Sequence, residues 1–154
     1  MDLRMQFQVI SEVALAMLLG GLVGLERELA DKPSGLRTHM IVAGAAALLV
    51  GLGDALLGRF NASVDVGIRT DPIRIVEAII AGVSFLGAGT IFRRGKSEQV
   101  EGITTAASLL LVSAIGISVA LRQHVLAVGV TVLALTVLRG VNLIERWLDG
   151  RKSS

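Results

Sequence analysis

Read for apolar runs, the chain divides into five blocks of about twenty residues, the length of helix that crosses a bilayer's hydrocarbon core. The blocks cover 9–25, 38–57, 73–92, 102–121 and 125–144, with short polar connections between them. The pattern predicts an all-α membrane protein, a bundle of five transmembrane helices. Asp2 and Arg4 precede the first block and Glu12 lies within it, so it reads as a persistent helix rather than a cleaved leader. Residues 1–150 read as one domain and 151–154 as a tail. No fixed period relates the segments, and five spans do not divide into paired inverted halves.

Composition strengthens this picture. Of 154 residues 53% are hydrophobic, and the mean hydropathy is +0.71, well above a soluble domain. An odd number of spans puts the two ends on opposite sides of the membrane. Arg27, Lys32, Arg37, Arg93, Arg94, Lys96, Arg146, Arg151 and Lys152 then share one side, against Arg4, Arg59, Arg69, Arg74 and Arg122 on the other. The positive-inside rule therefore places the C-terminus in the cytoplasm and the N-terminus outside, with Trp147 as an interfacial anchor. Topology accounts for the basic pI of 9.7, so membrane lipids rather than nucleic acid are the expected surroundings.

Several chemistries are excluded. The chain has no cysteine, hence no disulfide, thiolate metal site or thiol nucleophile. The stretch Gly82–Gly87 has phosphate-loop spacing, yet Ala88 and Gly89 stand where Lys and Ser or Thr belong, and Phe92 stands where a dinucleotide fingerprint needs its third glycine. His39 and His124 lack zinc-ligand companions, and Ser84, Ser108 and Ser113 sit in no nucleophile elbow. The chain is expected not to be an enzyme and to carry no cofactor. Magnesium is the one candidate ion, held loosely by carboxylates such as Glu26, Glu28 and Asp31, or Asp65 and Asp71.

Small residues are the stronger signal, because helices in lipid associate through close packing. Ala16, Gly20 and Gly24 form one such strip, Gly44, Ala47 and Gly51 a second, and Ala81, Ser84 and Ala88, with Gly87 and Gly89 beside them, a third. These strips predict contact with another membrane protein or a homo-oligomer, most simply a dimer. Gly87 and Gly89 also allow a second reading, an unwound segment lining a wet cavity.

Four ionisable residues fall within or near the apolar blocks: Glu12, Asp54, Glu77 and Arg139. Glu77 shares a helix face with Ala81, Ser84 and Ala88 and is expected to point into the bundle, or else to pair with Arg74 one turn away. At the predicted cytoplasmic ends, Glu26, Arg27, Arg37, Thr38, Thr104 and Thr105 are expected to converge on a polar pocket beside Gly87 and Gly89. Plainer roles are also open, Thr38 and Thr104 as helix caps and the arginines as topology signals.

The blocks "GGLVGLERE", "SGLRTHM", "DPIRI", "GVSFLGAGTIF" and "VEGITTAAS" resemble, in order, the signatures of the MgtC/SapB family of bacterial inner-membrane proteins. The resemblance covers roughly residues 10–120. It implies a multi-pass protein of the bacterial inner membrane linked to magnesium limitation and, in pathogens, to survival inside host cells. It also implies regulation of a membrane partner such as the ATP synthase; a magnesium or small-ion transporter or channel is the alternative. Carried over by position, it points to Glu26, Arg27, Arg37, Thr38, Asp71, Arg74, Gly87, Gly89, Thr104 and Thr105. Glu77 stands where similar proteins often have an uncharged polar residue, and Ser84 replaces a common glycine. Longer family members also carry a soluble cytoplasmic domain that these residues do not include.

Overall fold

The computed structural model describes the backbone of residues 2–63, 71–93 and 100–152, with side chains described for 2–58, 71–91 and 101–140. Five helices account for nearly all of it: α1 (Leu3–Leu29), α2 (Leu36–Ser63), α3 (Ile73–Gly89), α4 (Ile103–Ala120) and α5 (His124–Lys152). Two-residue strands β1 (Phe92–Arg93) and β2 (Val100–Glu101) pair antiparallel between α3 and α4. The five apolar blocks thus become the five helices. Their boundaries shift by several residues, because backbone hydrogen bonding continues into polar flanks that hydropathy discounts.

Among the described residues three helices are long and apolar enough to cross a membrane: Leu3–Leu29, Leu36–Gly58 and Ile103–Ala120. The described part of α5 includes the apolar stretch His124–Gly140, and α3 has 17 residues, the lower limit of about 17 for a span. Asp65, Arg69, Arg94 and Lys96, and the side chains of Arg59, Arg93, Arg146, Trp147, Arg151 and Lys152, lie outside the described residues.

Helix α4 touches all four others, and α1 and α2 pack against it and against each other to form the core. Ala16, Val23, Ala43, Ala46, Leu109, Val112 and Ile115 fill this centre. The glycine strips make it tight. A Cβ on Gly20 would sit 2.8 Å from the His39 carbonyl oxygen, and one on Gly24 would sit 2.8 Å from His39 Cβ. A Cβ on Gly116 would collide with the Ala43 carbonyl. Gly44 takes Met17 against it, and Gly51 takes Val9. The first two strips therefore work as helix-packing surfaces.

Short, sharp turns fix the order of the helices. At the end of α1, Lys32 N–H donates to the Arg27 carbonyl (3.0 Å) and Asp31 N–H to that of Glu28 (3.1 Å), with Asp31 left-handed at φ 54°. This is a Schellman ending, and Pro33 follows where the helix cannot continue. The same ending closes α4, where Gln123 donates to Ser118, Arg122 donates to Val119, and Arg122 has φ 59°. As a result the C-terminal end of α1, the start of α2, the end of α3 and the start of α4 gather at one end of the bundle. The opposite helix ends gather at the other.

Candidate functional site

At the first end the structure buries polar groups of three helices together. Arg27, from the last turn of α1, is 2% exposed, and its Nη2 donates to Thr105 Oγ1 of α4 at 3.4 Å. Its Nε has no hydrogen-bond partner within the described residues. Thr105 and Glu26 are also buried. His39 of α2 is wholly buried; its Nδ1 lies 2.9 Å from the Gly35 carbonyl oxygen and its Nε2 2.9 Å from Ser108 Oγ. The Ser108 hydroxyl in turn lies 2.8 Å from the Thr105 carbonyl oxygen.

Hydrogen counting orders this chain of contacts. A carbonyl only accepts, so Nδ1 carries the hydrogen toward Gly35. In the neutral ring Nε2 is then an acceptor, and the single Ser108 hydrogen serves either His39 or Thr105. Giving it to His39 costs little, because the Thr105 carbonyl also lies within the hydrogen-bonded body of α4. Together the groups tie α1, α2 and α4 at one level.

Of the six residues expected to converge here, Glu26, Arg27 and Thr105 are buried, whereas Arg37, Thr38 and Thr104 are exposed. A helix turns by about 100° per residue, so Thr104 and Thr105, like Thr38 and His39, look in different directions. Thr104 does not cap α4; Gly102 holds that position in a left-handed conformation, φ 93°, with no side-chain cap. A Cβ there would strike the Thr90 carbonyl, so both the dihedral and the close approach require glycine. The start of α2 is capped instead by Glu28, whose Oε2 accepts from Leu36 N–H at 2.8 Å. A carboxylate there meets the positive end of the helix dipole, which gives this magnesium candidate a structural role.

The expectations for α3 need correction. Its helix runs unbroken to Gly89, so Gly87 and Gly89 form no unwound segment. Gly87 packs on Ala106, and Gly89 has nothing near its Cβ direction. Glu77, Ala81, Ser84 and Ala88 all lie on the exposed side, while Ile79, Val83 and Gly87 face the core. Glu77 therefore points away from the bundle, and among the described residues it forms no ion pair with Arg74. The inward face is carried by Ile79 and Val83 with Gly87, not by the strip of small residues.

Asp71 and Arg74 lie at the opposite end. Asp71 Oδ1 accepts from Ile73 N–H at 3.1 Å and starts α3; Arg74 is exposed. Asp71 also lines a cavity of about 560 Å³ together with Gln8, Glu12, Asp54 and Arg122. Glu12 is 9% exposed, accepts from Gln8 Nε2 at 2.8 Å and pairs with Arg122 Nε at 3.5 Å. No group of three or more metal-ligating side chains is close enough to hold an ion among the described residues.

These features define a polytopic helical membrane protein whose buried polar side chains join helices to one another. The profile of the MgtC family matches residues 13–147, and the chain belongs to that family. It is 39% identical over 145 residues to an uncharacterized protein of Haemophilus influenzae, covering 94% of this chain and 60% of that one. It is 38% identical over 136 residues to the protein MgtC of Salmonella typhimurium, covering 88% and 53%. It is 34% identical over 139 residues to YhiD of Escherichia coli K12, for which magnesium transport has been suggested, covering 87% and 60%. The chain thus spans between half and two-thirds of these relatives. No solved structure matches it.

Proposed function

We propose that the chain is a non-enzymatic, five-span protein of the bacterial inner membrane, with its N-terminus outside, that serves adaptation to low magnesium by docking on other membrane proteins. The observation that supports this is the fate of the buried polar groups. Arg27, Thr105, His39 and Ser108 are taken up in contacts between helices, and a close-packed layer including Ala16, Ala46 and Val112 separates them from the carboxylates at the far end. A conduit needs polar groups free to replace an ion's hydration shell along its path. This core uses them as fasteners. The family resemblance makes the membrane ATP synthase the first partner to test.

The cavity lined by Glu12, Asp54 and Asp71 favours a second reading, a transporter of magnesium or another small cation. Growth at limiting magnesium separates the two. A strain lacking its own family member is expected to recover with this chain, and equally with a Glu12→Gln, Asp54→Asn double variant. Recovery that is lost with the double variant would favour transport.

A further inference from the structure

Among the described residues, the outward face of α3 carries two charges of opposite sign beside a run of small residues. Where α1 and α5 look away from the core they present branched apolar side chains, such as Leu18 and Leu22, and Val125, Leu133 and Val137. Lipid suits those. Helix α3 lies along α4 and so shares its depth, yet it turns outward Arg74, Glu77, Ala81, Ser84 and Ala88, with Phe85 standing out at 81% exposure. A Cβ on Gly82 or Gly89, at the flank of this face, would meet nothing, so no contact within the chain explains their small size. Small side chains directed at lipid forgo packing, and a charged pair near the end of a span gains from a partner of opposite sign.

We infer that this face of α3 is the contact surface between two copies of the chain, with Arg74 of each copy against Glu77 of the other. This rests on the five-span, helix-docking reading above and names its first partner. Copies in one membrane share an orientation, so a two-fold axis along the membrane normal sets their α3 helices side by side at equal depth. Arg74 and Glu77 are one turn apart on the same face, and neither has a charged partner in its own chain among the described residues. The face thus carries both signs about 4.5 Å apart along the helix axis, an offset that long side chains span, and is complementary to itself. Below the charges, Ala81, Ser84 and Ala88 let two backbones approach, and Phe85 fills the space beside the partner's small residues.

The absence of cysteine makes the test direct. Ala81→Cys and Ala88→Cys, near-isosteric and outside the core, are compared in native membranes with Leu18→Cys on α1 and Val132→Cys on α5 under mild oxidation. The expected result is a covalent dimer of this chain at Ala81 and Ala88, several-fold more abundant than at Leu18 and Val132. Glu77→Arg and Arg74→Glu should each reduce it, and the two changes combined should restore it. Equal crosslinking at all positions, none at any, or adducts only to a different protein would overturn the inference. The last of these would leave the docking reading standing. A dimer-forming chain that fails to support growth at low magnesium would defeat that reading and leave the α3 contact intact.

Discussion

Arg27 and Thr105, 78 positions apart in sequence, meet in the interior, with Nη2 3.4 Å from Oγ1 and both residues buried. The contact brings the last turn of α1 to the first turn of α4. It leaves a buried guanidinium with little margin, because its Nε is already without a partner among the described residues.

Thr105→Val keeps the shape and removes the acceptor. It is expected to destabilise the folded chain by about 1–3 kcal/mol, toward the lower end because the bond is long. Thr104→Val and Thr38→Val, at exposed positions, should change stability by less than about 0.5 kcal/mol. Unfolding in mixed detergent micelles measures all three.

Ser108→Ala strips His39 Nε2 of its partner in a site with no exposure. The same assay should show a loss of about 1–3 kcal/mol, the cost of a buried polar atom left unmatched. Little or no loss would mean that His39 gains nothing from the contact across α2 and α4.

Gly116→Ala and Gly129→Ala separate packing from helix propensity. A methyl at Gly116 runs into the Ala43 backbone, whereas one at Gly129 meets nothing within 4 Å. The first is expected to cost about 1–3 kcal/mol by overpacking, and the second to raise stability by up to about 1 kcal/mol.

Glu28→Ala should lower stability by about 0.5–2 kcal/mol through loss of the cap on α2. Its carboxylate accepts from Leu36 N–H. Added magnesium should leave this difference unchanged; a difference that appears only with magnesium present would reinstate Glu28 as a ligand.

Much of the fold was legible because lipid imposes length and backbone satisfaction on every span, and the five apolar blocks record both. The spacing of Gly20 with Gly24, and of Gly44 with Gly51, correctly marked faces of contact. The same spacing in α3 named a face without naming what covers it. Ile79, Val83 and Gly87 took the inward side, and Glu77 went outward with the small residues. In the polar cluster Arg27 and Thr105 were legible from motifs sharing one end of the bundle. Their neighbours Arg37, Thr38 and Thr104 were not separable from them, since sequence proximity ignores helical phase. His39 and Ser108 were weighed only as a zinc ligand and a nucleophile. Their shared positions with Ala43 and Val112 on core-facing stripes were the signal for a contact between helices.

Magnesium entry into sealed liposomes containing the purified chain, followed with a trapped indicator under an inward gradient, tests the central claim most directly. A core whose polar groups fasten helices together should give entry no faster than protein-free liposomes. Entry that scales with the amount of protein and falls with Asp54→Asn would contradict it.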